Sequence, residues 1–268
     1  MKARCAAVLA AALVVSSCVI TPQSTVHDWA RVVDGDTIDV VVDGVLERVR
    51  LVGIDAPERG ECGADEAARL LAGLLDAGEI RLESDTSDRD TFGRLLRYVW
   101  AGEVFVNEML VEEGLAIARR YPPDTRLSGR LESAQLRAQD ARRGIWSGGL
   151  CGSGTPASIE VSDLEPDPPG DDTLDLNGEW VEFTNTGTGP VELTGWSVRD
   201  ESSSNRYHFP PGFALSPGGA VRLHTGCGVD TATALYWCNE GSAVWNNHGD
   251  TVFLLDPAGD LVTSRRYP

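Results

Sequence analysis

The run from Arg31 to Glu58, RVVDGDTIDVVVDGVLERVRLVGIDAPE, constrains the chain more than any other stretch. Trp29 to Val33, Ile38 to Val42 and Val45 to Ile54 read as three strands, with Asp43-Gly44 as a two-residue hairpin signal between the last two. A meander of this kind must bury one face, yet its acids gather at two corners, Asp34 with Asp36 and Asp55 with Glu58. Carboxylates placed there are unfavourable unless something of opposite charge or a bound cation compensates them.

The residue types at those corners narrow the chemistry. Pro57 fixes its own φ and pushes Ala56 into an extended conformation, so the segment turns out of the sheet and can expose a backbone carbonyl. Asp36, Asp55 and the Ala56 carbonyl make a hard, oxygen-rich metal site that suits calcium, with no His or Cys to favour zinc or iron. Glu58 is then the carboxylate left for proton work, and Asp34 supports the corner as a turn former or from behind the ligands. Arg50 offers a planar fork to a phosphate oxygen, and Arg94, after Phe92-Gly93, offers a second; the plainer alternative is an internal ion pair for each, Arg50 with Asp55 and Arg94 with Asp90. Arg50 and Asp55 are five residues apart, so strict alternation sends them to opposite faces. Both reach one site only if the strand twists or bulges, and Gly53 lies where it can.

The rest of the first half supplies a scaffold. Ala67, Leu70, Leu71, Leu74 and Leu75 form one apolar helix face stopped at Gly78. Glu79 to Glu83 and Arg94 to Trp100 read as strands around a loop from Asp85 to Gly93. Asn107 to Glu113 reads as a short helix capped by Asn107, and Thr125 to Arg143 as the last helix. The fold class expected is mainly β with α, residues 27–151 forming a five-stranded Greek-key barrel of the oligonucleotide-binding (OB) type with three helices. After a linker at 152–156, residues 157–268 show no helical period. Short alternating runs occur there at Ile159 to Val161, Trp180 to Phe183, Val191 to Leu193, Trp196 to Arg199, Ala220 to Leu223, Ala243 to Trp245 and Thr251 to Leu255. They predict an immunoglobulin-like β-sandwich of about seven strands. The acidic stretch from Asp163 to Asp175 reads as a solvated loop, and the four tryptophans Trp180, Trp196, Trp237 and Trp245 as core or edge aromatics.

Residues 1–17 carry a basic start and an apolar run too short to span a membrane, which reads as an export signal; Val15-Ser16-Ser17-Cys18 resembles a lipoprotein cleavage site with Cys18 as the lipid anchor. Residues 18–26 then read as a tether to the membrane, the alternative being release as a secreted protein. Export favours paired cysteines. Cys227 and Cys238 are close in sequence, which leaves Cys62 with Cys151, and free thiols are the other possibility. The formal net charge of −18 excludes a protein that gathers polyanions through a global basic field, so any phosphate must be held locally.

Five ordered blocks resemble the successive motifs of the staphylococcal nuclease (thermonuclease) family over about residues 28–147. They are Asp34-Gly35-Asp36-Thr37, the run Arg50 to Glu58, Phe92-Gly93-Arg94, the run Val106 to Ala116, and Gly144-Ile145-Trp146. The resemblance implies a calcium-dependent phosphodiesterase acting on DNA and RNA with little sequence preference and leaving 3′-phosphates. By matching position it implies Asp36, Asp55 and Ala56 as metal ligands, Glu58 for the attacking water, and Arg50 and Arg94 on the phosphate. Phe92 and Tyr121 then fall in the substrate-binding region. Thr91-Phe92 stands where the family carries Lys-Tyr, which removes a charge and a hydroxyl from phosphate binding.

The second half resembles a lamin tail domain through the runs Gly178 to Asn185, Leu193 to Val198, Phe213 to Gly219 and Trp245 to Leu254. That family implies no chemistry of its own. A monomer is expected, and no protein partner follows from the residues. A rival reading keeps the barrel as a degenerate, non-catalytic module on a surface binding protein, with the acidic surface and the neutral Thr91 as its support.

Overall fold

The computed structural model describes residues 23–26, 28–152, 158–171, 174–202, 205–239 and 241–267; the expected export segment, Cys18 and most of the linker lie outside them. The first half runs β1 (Gln23–Val26), β2 (Trp29–Val32), β3 (Thr37–Val42), β4 (Val45–Leu51), β5 (Ile54–Asp55), α1 (Ala64–Asp76), β6 (Ile80–Glu83), β7 (Leu95–Ala101), β8 (Val104–Phe105), α2 (Val106–Glu112), β9 (Ile117–Ala118) and α3 (Ser128–Asp140). Hydrogen-bonded neighbours follow the order β1-β6-β7-β4-β3-β2, with β8 beside β7. The β4–β7 pair is parallel, and β3 with β4 forms the hairpin expected at Asp43-Gly44.

This is the mainly β, OB-type fold with three α-helices, but the ladder does not close. It runs from an edge at β1 to an edge at β2, so the expected barrel is an open sheet. Gln23–Val26, expected to be part of a tether, instead pairs antiparallel with β6. The exposed edge of β6 offers those amides and carbonyls partners that a free tether lacks.

The expected third strand is broken, and that break sets up the site. Gly53 has φ 81°, a conformation that L side chains rarely adopt, and a Cβ there would stand 2.6 Å from Leu131 Cδ1. The chain reverses at Val52-Gly53 and resumes as β5, paired with β9 through Ile54 with Ala118 and Asp55 with Ile117. The carbonyl freed at Val52 accepts from Asn107 Nδ2 at 2.8 Å, while Asn107 Oδ1 accepts from the Val99 amide at 2.9 Å. Asn107 is therefore not the helix cap its sequence position suggests; Phe105 occupies that position, with no side-chain cap. A fully buried amide side chain is kept because it satisfies two backbone groups in the core. Around it pack Ile38, Val49, Leu51, Ile54, Leu71 and Leu110, all buried.

The second half runs β10 (Ile159–Glu165), β11 (Trp180–Asn185), β12 (Val191–Glu192), β13 (Ser197–Arg199), β14 (Arg206–His208), β15 (Ala214–Leu215), β16 (Ala220–His224), β17 (Ala234–Tyr236), β18 (Asp250–Leu255) and β19 (Leu261–Tyr267). The sheets β10-β11-β16-β17 and β14-β13-β18-β19 enclose one apolar core, with β12-β15 as a ribbon. Asp163 to Glu165, expected in a solvated loop, completes β10. Ala243 to Trp245 is not a strand. The amides of Val244 and Trp245 donate to the buried Glu179 carboxylate at 3.0 and 2.9 Å, and Trp245 fills the core from this loop. Trp196 is buried as well, and Trp180 stacks under Arg222 at 3.9 Å.

The two halves share a small buried cluster of Ile117, Ala138, Trp146 and Phe253. Disulfides join Cys62 to Cys151 and Cys227 to Cys238, the pairing expected. The first closes 89 residues of chain, and by the loop-entropy account removing it costs roughly 4 to 5 kcal/mol. Replacing Cys62 and Cys151 together by Ser is expected to lower the unfolding free energy from denaturant melts by about that amount; an unchanged midpoint and slope contradict it.

Candidate active site

The turn at Val52-Gly53 delivers Arg50 from β4 and Asp55 from β5 to one place. Arg50 Nη2 lies 2.8 Å from Asp55 Oδ1 and 3.0 Å from Asp36 Oδ2, while Nη1 donates to the carbonyls of Leu51 and Ile54 at 2.8 and 2.9 Å. One guanidinium thus bridges the two corners seen in the sequence. Asp36 Oδ2 also accepts from the Ala56 amide at 2.8 Å, and Asp36 Oδ1 from the Thr37 hydroxyl at 3.1 Å. Asp34 caps the corner, its Oδ1 accepting from the Asp36 amide at 3.1 Å. Gly35 permits the approach, since a Cβ there would stand 2.6 Å from the Ala56 Cβ and 2.7 Å from that of Ala67.

Burial dominates the electrostatics. It pushes the Asp36 carboxyl up to about 7 despite Arg50 and the Ala56 amide, and it raises Asp55 despite Arg50 and Arg119. Burial also works against the charge on Arg50, but Asp36 and Asp55 more than offset it. Glu58 is exposed at the rim, and its carboxyl is raised first by partial desolvation and then by Asp34 and Asp55.

Asp34, Asp36, Arg50, Asp55, Glu58, Arg94 and Tyr121 all line one open cavity of about 350 Å³. Arg94 reaches it from the loop before β7, with Nε held by Asp90 Oδ2 at 2.6 Å and its guanidinium 5.5 Å from the ring centre of Phe92. Phe92 is 84 % exposed and stands outside the cavity. Ala56 is buried beside the cavity and does not line it. Tyr121 is reached by Arg119, whose guanidinium lies 4.9 Å above its ring. Arg119 itself was not legible as a site residue. It follows the short strand β9 and is carried to 4.0 Å from Asp55 Oδ2 by the pairing of β9 with β5. The Arg-Arg-Tyr sequence after an apolar pair is its one trace in the sequence.

Could such a site hold a divalent cation? Asp36 and Asp55 are hard oxygen donors held close by a shared nitrogen, and their raised carboxyl pKa values report charge that burial leaves under-compensated. The donor set fits such an ion. Among the described residues the only three ligand-type atoms within 4.8 Å of one another are those of Cys62, Cys151 and Asp260, where both sulfurs are committed to the disulfide.

A family model described as Staphylococcal nuclease homologue matches residues 48–148, and one described as Lamin Tail Domain matches 153–268. The chain is 40% identical over 123 residues to a thermonuclease of Staphylococcus hyicus, covering 44% of this chain and 73% of that protein. The chain belongs to the staphylococcal nuclease family. A thermonuclease of Staphylococcus intermedius matches at 40% over 122 residues, 43% of this chain and 73% of that protein. Endonuclease YncB of Bacillus subtilis matches at 34% over 125 residues, 44% of this chain and 59% of that protein. The site described above lies in the half that carries this kinship, and the nuclease domain is followed by the lamin tail sandwich.

Removing Arg50 leaves two buried carboxylates without their partner. Arg50→Met is expected to destabilise the metal-free protein by about 3 to 5 kcal/mol, the scale for breaking a buried ion pair from one side. Calcium at millimolar concentration is expected to restore part of the lost melting temperature. Thermal melts with calcium and with chelator check both; a melting temperature equal to wild type in chelator contradicts the role given to Arg50.

Proposed function

We propose that the protein is a calcium-dependent nuclease that hydrolyses phosphodiester bonds of DNA and RNA with little sequence preference and releases 3′-phosphates. The observation that carries this reading is the convergence of Asp36, Asp55, Glu58, Arg50 and Arg94 on one solvent-open cavity. Kinship to thermonucleases supports it. The rival, non-catalytic reading is not favoured, because the kinship runs to thermonucleases and an endonuclease.

Asp36, Asp55 and the carbonyl of Ala56 would hold the divalent cation, which when bound supplies Lewis-acid stabilisation of a phosphoryl oxygen. Glu58 takes the proton of the attacking water. Partial desolvation and its acidic neighbours raise its carboxyl pKa, which makes its anion a better base than an ordinary carboxylate. Arg94 meets the charge that builds on the phosphoryl oxygens, and Arg50, whose Nη1 and Nη2 are taken up by the Leu51 and Ile54 carbonyls and by Asp36 and Asp55, has its Nε left to reach them. Arg94 is already pre-set, with Nε fixed by Asp90 and the residue lining the cavity. Asp34 holds the Asp36 corner in shape. Phe92, exposed beside Arg94, offers a face for a base to stack on, and Tyr121 with Arg119 lines the cavity.

Export and lipid anchoring at Cys18, with the nuclease outside the cell membrane or released from it, are part of the same reading. Two disulfides agree with an oxidising compartment.

Plasmid and RNA degradation by the mature protein, with calcium and then with chelator, tests the activity. Glu58→Gln and Arg94→Ala are each expected to lower the rate a hundredfold or more, the scale of losing one transition-state contact. Near-normal rates in either variant, or full activity in chelator, contradict the proposal.

A further inference from the structure

The loop that carries Glu58 is held from three sides, and one of them is the sandwich. Within the loop, the Glu61 amide donates to the Glu58 carbonyl at 2.8 Å, and the Glu58 amide donates back to Glu61 Oε2 at 3.0 Å. Arg59 Nη2 ties the turn to the Val33 carbonyl at 2.8 Å, just before the Asp34 corner. The remaining oxygen of Glu61, Oε1, forms an ion pair with Arg206 on β14. Immediately after the turn, Cys62 is bonded to Cys151, whose amide donates to Asp260 Oδ1 of the sandwich at 2.8 Å. A second link lies across the site, where Arg119 Nη1 donates to the Glu201 carbonyl at 3.1 Å.

Resting on the nuclease reading, we propose that the lamin tail sandwich is a working part of the hydrolytic site, with Arg206 acting through Glu61 as a positioning residue for Glu58. Glu61 is close enough to raise the carboxyls of both Asp55 and Glu58, and of the two sandwich cations near it, Arg199 and Arg206, Arg206 is the one in direct contact with its carboxylate. Without a cation on its outer oxygen, repulsion drives its side chain away and breaks the bond to the Glu58 amide. The Glu58 side chain is exposed, with no hydrogen bond of its own among the described residues, so the aim of its carboxylate depends on the backbone of this turn. Arg206 also stands outside the 48–148 stretch that matches the staphylococcal nuclease family model, so the nuclease half alone lacks this cation. Arg206 lies on the edge strand β14, in backbone register with Arg199 of β13. A cavity of about 230 Å³ separates loop and sandwich there, leaving the ion pair as a strut across a gap.

Steady-state kinetics of full-length wild type, Arg206→Met, Arg206→Lys, Glu61→Gln and the double variant Glu61→Gln with Arg206→Met, each with its melting temperature, test the proposal. Arg206→Met is expected to lower kcat about tenfold, a modest misplacement on the scale by which small shifts cost rate, with KM for DNA changed less than twofold. Arg206→Lys, which keeps the charge, is expected to recover most of the rate. The double variant is expected to be no slower than Glu61→Gln alone, because both act through one contact. A wild-type kcat in Arg206→Met overturns the proposal, as does a fall in melting temperature with kcat unchanged at a temperature where the variant is folded. Additive losses in the double variant also overturn it. An inactive wild type would instead overturn the nuclease reading on which this one rests.

Discussion

Everything at the active site depends on one guanidinium between two buried carboxylates. Arg50 is placed there because Gly53 breaks the strand that would otherwise have sent Arg50 and Asp55 to opposite faces. The break leaves the Val52 carbonyl unpaired, and Asn107 from α2 answers it, so the helix behind the sheet is locked to the same turn. Sheet, helix and site are therefore coupled through a few hydrogen bonds in the core. Burial raises the carboxyls of Asp36 and Asp55 even with Arg50 in place.

The acidity of the whole chain is less of an obstacle than its net charge of −18 suggests. Most arginines of the first half are spent on surface ion pairs, such as Arg89 with Glu47 and Arg120 with Glu132. Arg50, Arg94 and Arg119 are the ones directed at the cavity. Phosphate attraction is then local and short-ranged, which predicts a shallow dependence of binding on salt. The sandwich adds to this economy. Its Arg206 and the Glu201 carbonyl engage Glu61 and Arg119, so two residues flanking the cavity are each held by the second domain.

Much of this was legible in the residues. The hairpin at Asp43-Gly44, the apolar face of α1 and both disulfides follow from local pattern and chemistry, whereas the convergence of Asp36, Arg50, Asp55, Glu58 and Arg94 was implied by the family resemblance, since alternation alone sends Arg50 and Asp55 to opposite faces. What escaped was what tertiary structure decides. Asn107 has the composition of a cap, but a buried carbonyl 55 residues away in the chain had the stronger claim on it. Gln23–Val26 lacks any pattern and became a strand because an edge was open beside it. Ala243 to Trp245 alternates like a strand, yet the buried Glu179 carboxylate captured its amides. Arg119, Glu61 and Arg206 belong to the site only through pairing and domain docking, neither of which leaves a periodic trace.

The central claim is that Asp36 and Asp55, bridged by Arg50, form the cation-binding heart of the site. Calorimetric titration of calcium into the full chain, beside Asp36→Asn and Asp55→Asn variants that still fold, tests it most directly. One site per chain in the wild type, lost or weakened at least tenfold in both variants, is the predicted result. Unchanged calcium binding in either variant would contradict it.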